Sequence, residues 1–245
     1  MKHILLLQFR TDNTREHEQV CFHKFKNTSS PVEFDIVNIF DESIDWNAPD
    51  ELLDGIHGVI LAGSGELYLS GKREGRNGKD ALAFENAMPL VHYVIEHDIP
   101  TLAICFGHQL VGEMLGSEVK RDAATAKAGT FPVSQTKNAA EDPIFAGVSQ
   151  SFLANYAHKD SLSELPFGAT LLASGELCPV AGFRYKKNIY SFQFHPEISH
   201  EESLKRREMN PSYYTPEDFF LRDLEPTPEA ERILHNFIRL VVPSV

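Results

Sequence analysis

Cysteine is scarce in this chain: Cys21, Cys105 and Cys178 are the only three in 245 residues. An odd number at unrelated spacings builds no disulfide framework, and a reducing, cytoplasmic setting is expected. The same scatter offers no four-ligand zinc pattern. Long apolar runs are missing too, so no segment reaches the length of a membrane span. The apolar opening is broken by Gln8 and Arg10. It lacks the longer apolar region and the small-residue cleavage site of a leader, and reads as a buried first strand. Basic residues are outnumbered, 23 Lys and Arg against 35 Asp and Glu, for a net charge of −12. That balance disfavours nucleic acid and an anionic membrane as partners. No internal repeat, P-loop or clear linker is visible.

What is present is an alternation of strand-like and helical patterns, in a chain long enough to bury a substantial core. Apolar, β-branched runs predict strands over 3–9, 32–39, 57–62 and 101–104. Helical patterns cover 14–25, 79–97 (with Pro89 as a point of disturbance) and 107–115. Such alternation predicts an α/β fold, one domain over 1–245, with a central, mostly parallel sheet flanked by helices. The second half is richer in strands and expected to be more antiparallel: 129–133, 151–156, 170–174, 180–185 and 189–194. The last two are read as a hairpin turning near Asn188. Residues 200–228 are charged, carry four prolines and show no clear element. They read as an insertion rooted at the active-site mouth, packed on the domain by Tyr213, Tyr214, Phe219, Phe220 and Leu221. An amphipathic helix over 229–242 closes the pattern.

Sites in parallel sheets gather at the carboxyl ends of strands, and two such ends carry reactive side chains. The run Thr101–Ile104 ends at Cys105, with small residues two before (Ala103) and two after (Gly107). A tight strand-to-helix elbow needs small residues there, and it sets the thiol at a helix N-terminus, which favours a thiolate. The plainer alternative is a buried small hydrophobe, the reading preferred for Cys21 and Cys178. The second run ends in His195-Pro-Glu197. Residues two apart on an extended chain share a side, so Glu197 can accept from one imidazole nitrogen and leave the other to Cys105. A nucleophile, a base and a carboxylate at strand ends are the parts of a thiol hydrolase.

At this point the residues resemble a known family, the class I (triad) glutamine amidotransferases, and within it the glutaminase domain of GMP synthetase. The elbow Ala103-Ile-Cys105-Phe-Gly107-His-Gln109 is similar to Gly-x-Cys-x-Gly-x-Gln, and His195-Pro-Glu197 matches intact. Leu61-Ala-Gly63-Ser64-Gly-Glu66 resembles the oxyanion strand Ser-Gly-Gly-Pro-Glu, with Ser64 in place of a glycine and Gly65 in place of the proline. Asn155-Tyr-Ala-His158-Lys-Asp160 resembles Ser-His-Gly-Asp, with Ala157 and Lys159 departing from it. The resemblance implies flavodoxin-like layering and a catalytic Cys105, His195 and Glu197. It implies an oxyanion hole from the N–H groups of Ser64 and Phe106, and substrate contacts at Gly63, Gln109, His158 and Asp160. It further implies glutamine as substrate, a γ-glutamyl thioester on Cys105, and ammonia passed to a separate synthetase subunit. Neither metal nor organic cofactor is required by that chemistry. Two other readings stay open: a γ-glutamyl peptide hydrolase, and a catalytically silent binding or regulatory module.

Overall fold

A computed structural model describes residues 1–26, 31–71, 76, 78–215 and 219–241. The first half builds β1 (Lys2–Gln8), α1 (Thr14–His23), β2 (Val32–Asn38), α2 (Pro49–Leu52), β3 (Gly58–Leu61), α3 (Gly78–His97), β4 (Thr101–Ile104) and α4 (Phe106–Met114). The second half adds β5 (Val119–Arg121), β6 (Lys127–Gln135), β7 (Ser151–His158), β8 (Asp160–Leu162), β9 (Thr170–Gly175), β10 (Cys178–Tyr185) and β11 (Ile189–Phe192). After these come α5 (His200–Met209), β12 (Phe220–Leu221) and α6 (Pro228–Val241).

The sheet runs β12-β6-β9-β10-β11-β4-β3-β1-β2, with β7 also paired to β6, while β5 and β8 form a separate two-stranded piece. The strands from β2 to β11 are parallel; β10, β9, β6 and β7 continue antiparallel. The mixed sheet therefore follows the expected division between halves. Its parallel strands read as continuous apolar runs because both faces are buried. In β1, Ile4 and Leu6 enter one core with α1 and α6, whereas Leu5 and Leu7 enter the other with α3 and α4. β4 divides in the same way, Leu102 and Ile104 against Ala103.

The expected hairpin is β10–β11, where Tyr185 pairs with Ile189 and Lys186 takes φ +50° in the turn. Two expectations are corrected. Helix α3 runs through Pro89 without a break, because six buried side chains along it hold the helix against the sheet. Residues 200–228 contain a ten-residue helix, α5, where no element was expected. Its only buried residues are Ser203 and Arg206, so it shows no apolar stripe to read. Capping signals do mark it: Ser199 precedes Glu202 by three, and the Ser199 Oγ accepts from the Glu202 N–H at 3.4 Å. Among the described residues, no helix is long and apolar enough to cross a membrane.

Candidate active site

Three strand ends meet here. β4 ends at Ile104, and Cys105 takes φ +51°, ψ −100° before α4 begins. A non-glycine residue at positive φ is uncommon and costs conformational energy, which the surroundings must hold. They do: the Cys105 N–H donates to the Phe192 carbonyl at 2.9 Å, and the Gly107 N–H donates to the Ala62 carbonyl at 3.2 Å. A Cβ on Gly107 would lie 2.3 Å from the Leu61 carbonyl oxygen, so only glycine lets α4 pack this close to β3. The small residue of the sequence pattern is thus a steric requirement.

β11 lies parallel to β4 with Phe192 opposite Ile104, which delivers His195 to the same end of the sheet. The His195 N–H is held by the Asn155 carbonyl at 2.9 Å. The ring's Nδ1 donates to Glu197 Oε1 at 2.7 Å, and the Cys105 Sγ donates to the Ala157 carbonyl at 3.9 Å. All three side chains are buried: Cys105 is 3% exposed, His195 4% and Glu197 1%. Burial alone would favour the neutral imidazole. The charges of Glu197 and Cys105 and their hydrogen bonds outweigh it and raise His195 to about 9. Burial would likewise raise Glu197, but the charge and hydrogen bond of His195, with help from Arg206, hold it below the usual carboxylate range. The arrangement favours an ion pair of imidazolium and carboxylate. Burial pushes Cys21 and Cys178 up to about 12, so neither thiol is a rival nucleophile.

The third strand end is β3. A Cβ on Gly63 would sit 3.0 Å from His195 Cε1 and 3.4 Å from the Cys105 Cβ, so Gly63 borders both. The Ser64 side chain turns inward: its Oγ donates to the Phe9 carbonyl and accepts from the N–H groups of Glu66 and Leu67, each at 3.1 Å. The backbone N–H groups of Ser64 and Phe106 bond to no other described group, which leaves both available as donors. Phe106 is fixed by its ring, 4.9 Å from that of Phe9.

The three remaining expected positions form their own cluster. Gln109 Nε2 donates to the Asp160 carbonyl at 2.7 Å and to Gln193 Oε1 at 3.2 Å. His158 Nδ1 donates to the same carbonyl at 3.0 Å. Burial, then the charge of Lys127, lowers His158 to about 3, so the ring is neutral, with its Nε2 buried and unbonded. The Asp160 carboxylate accepts from the Ser70 N–H at 3.1 Å and from Arg121 Nε at 2.9 Å.

A cavity opens beside His195, and the residues lining it include Ser64, Gly65, Arg10, Thr14, Arg206, Arg207, Tyr213 and Tyr214. Ser203, Asn210, Leu221 and Leu224 line it as well. Sequence reasoning missed Arg10 and Arg206. Arg10 had a signal, since it stands just past the carboxyl end of β1, beside β3. Its Nε is held by Glu18 at 2.9 Å and its Nη1 by Thr14 at 3.1 Å. Behind Arg206, the side chains of His17, Cys21 and Glu202 come within reach of a single ion. Arg206 already donates to His17 Nδ1 and to Cys21 Sγ, so a cation there would meet a fixed guanidinium.

The class-I glutamine amidotransferase family pattern matches residues 12–208. Over 148 residues the chain is 34% identical to the glutamine-hydrolyzing GMP synthase subunit of Methanocaldococcus jannaschii, covering 60% of this chain and 68% of that one. It is 36% identical over 126 residues to the GMP synthase of Caldicellulosiruptor saccharolyticus, covering 51% of this chain and 24% of the other. The chain thus spans about a quarter of that longer relative. The crystal structure of a glutamine amidotransferase from Thermotoga maritima superposes with a TM-score of 0.68 at 21% identity, covering 99% of both chains, and so shares the fold. With four fifths of its length matched by the family pattern, this chain belongs to the class-I glutamine amidotransferases.

Proposed function

We propose that this chain hydrolyses the side-chain amide of glutamine through a thioester on Cys105. The observation that carries the reading is a cysteine strained at positive φ with the buried His195–Glu197 pair at the same end of the sheet, Gly63 bordering both. The thiolate attacks the amide carbon, and the N–H groups of Ser64 and Phe106 receive the oxyanion. The His195 imidazolium, oriented by Glu197, gives its proton to the departing ammonia. The neutral ring then takes a proton from water, which hydrolyses the thioester to glutamate. Gly63, Gln109, His158 and Asp160 shape the glutamyl side of the site. The chemistry needs a reduced thiol, in keeping with a cytoplasmic setting.

Ammonia is then handed to a separate synthetase subunit. This step is supported by relatives that are named as the glutamine-hydrolyzing subunit of a GMP synthase. Ammonia and glutamate release from glutamine tests the whole reading. Cys105→Ala should lower turnover by about a thousandfold or more. Equal release by the wild type and the Cys105→Ala protein would overturn it.

A further inference from the structure

The cavity beside His195 is small. Its water-accessible space is about 50 Å³, room for a few water molecules and not for an amino acid. Arg10 and His195 both line it. Arg10 stands just past the end of β1, is only 5% exposed, and has no part in the reaction derived above. Two contacts to α1 fix its guanidinium: Nε donates to Glu18 Oε1 at 2.9 Å and Nη1 to Thr14 Oγ1 at 3.1 Å. Glu18 is fully buried and also accepts from Gln8 Nε2 at 2.9 Å. A charge-assisted bond to a carboxylate that is itself held leaves the fork little freedom. The remaining nitrogen, Nη2, makes no hydrogen bond among the described residues. Its place is set by Gly63. The point where a Gly63 Cβ would stand is 3.6 Å from Arg10 Nη2, 3.0 Å from His195 Cε1 and 3.4 Å from the Cys105 Cβ. A charged donor, the base and the nucleophile therefore surround one point. Gly65, which stands where the family pattern has a proline, leaves the guanidinium its room: a side chain there would begin 3.4 Å from Nη1. Arg206, the other buried arginine of the cavity, turns its Nε and Nη2 to His17 and Cys21 instead.

We propose that Arg10 is a catalytic residue of the second half-reaction: its Nη2 donates to the water that hydrolyses the Cys105 thioester and holds that water between His195 and the carbonyl carbon. The proposal rests on the reading that Cys105 carries a γ-glutamyl thioester. The water oxygen forms its bond to the carbonyl carbon while one water proton passes to His195 Nε2, the ring nitrogen that Glu197 leaves free. The tetrahedral intermediate then collapses. The carbon–sulfur bond breaks, the sulfur takes the proton back from His195, and glutamate leaves. The water oxygen gains negative charge as it loses its proton, so a fixed cation beside it favours the transfer. The first half-reaction needs this donor less. There the attacking atom is the sulfur, which the elbow has already placed, whereas water is held by nothing but the groups around it.

Single-turnover mixing with glutamine separates the two halves. Ammonia release follows formation of the thioester, glutamate release follows its decay, and mass spectrometry after acid quenching reads the thioester on Cys105. Arg10→Lys keeps a cation for Glu18 but loses the fork, so no donor reaches the water. Arg10→Met combined with Glu18→Gln removes both charges of the pair together, so no buried carboxylate is left alone. In both proteins thioester decay should slow by about tenfold or more, while its formation changes by about twofold or less. Hydroxylamine attacks a thioester without help from a base, so adding it should restore release of the glutamyl group, as the hydroxamate. Both rates come from the same folded molecules, so a loss of folded protein does not move their ratio. Equal slowing of the two halves overturns the proposal, since Arg10 then serves only to hold the β3 turn. Decay at the wild-type rate in either variant overturns it as well. If the wild type forms no thioester on Cys105 from glutamine, the underlying reading of Cys105 fails instead.

Discussion

Two regions meet at His195 and are built on different principles. The platform of β1, β3, β4 and β11 is apolar on both faces, and residues such as Ile60, Leu102, Ile104 and Phe192 are fully buried. Its reactive groups are fixed by backbone: the Cys105 N–H on Phe192, the His195 N–H on Asn155, and Gly107 pressed against Leu61. Helix α5, which covers it, is the reverse. Helix α5 buries a serine and an arginine, and it docks through the contacts of Arg206 and Glu202 with His17. A rigid apolar platform holds reacting atoms to fractions of an ångström. Helix α5 sets charge around them, and through Arg206 it acts on Glu197. The difference sets Cys105 and His195 on the first region and much of the charged lining beside them on the second.

The sharpest way to break the platform is at its closest approach. Gly107→Ala places a methyl group 2.3 Å from the Leu61 carbonyl oxygen and 2.8 Å from the Leu61 Cβ. The oxygen is main chain, so relief requires α4 to move off β3, and Cys105 moves with it. We expect a loss of about 3 kcal/mol, at the upper end of overpacking costs, with near-complete loss of turnover. Denaturant midpoints and glutaminase rates measure both. A protein that keeps wild-type stability and rate would show that the elbow is not held by this contact.

The same difference decides what could be read without a structure. The strands of the platform are legible because two-sided burial leaves nothing polar to interrupt Val59–Leu61 or Leu102–Ile104. The elbow is legible because a steric need leaves a fixed mark at Gly107. The pairing of His195 with Glu197 follows from their spacing. The hydrogen bonds of Gln109, His158 and Asp160 are less open to reading, since they join α4, β7, β8 and the residue after β11 across 84 residues of chain. Helix α5 leaves no apolar period. Its one sequence mark, the Ser199–Glu202 cap, is short and common. Arg206 is invisible for a further reason: a charged residue on a charged helix looks solvated until its burial is seen.

The ion pair at the junction of the two regions gives a prediction in pH. His195 is raised above its ordinary value, to about 9, so its contribution to stability is complete below about 6.5 and fades as pH rises through 9. Glu197 is lowered, so its contribution is present above its ordinary value of 4.5 and is lost as pH falls through its folded value. Both are complete near pH 5.5. Glu197→Gln should therefore cost most stability near pH 5.5 and progressively less toward pH 9, while lowering turnover less than His195→Ala does. Denaturation midpoints of both proteins across that range check it. A gap that is flat, or that widens with pH, would mean that Glu197 acts only through packing.

The smallest expected effect sharpens the contrast most. Ser199 caps α5 through a long hydrogen bond of 3.4 Å to the Glu202 N–H. Ser199→Ala removes it, at a cost of about 0.5–1 kcal/mol. Because α5 has no apolar face to hold it, that cost should appear as local opening of residues 200–209 and not as global unfolding. Hydrogen exchange should quicken there while the amides of α4 and β4 keep their protection. Opening of α5 also loosens Arg206, which helps hold Glu197 ionised, so turnover of glutamine should fall modestly. If exchange quickens equally in α4 and α5, the cover and the platform open as one unit, and the division of labour between them does not hold.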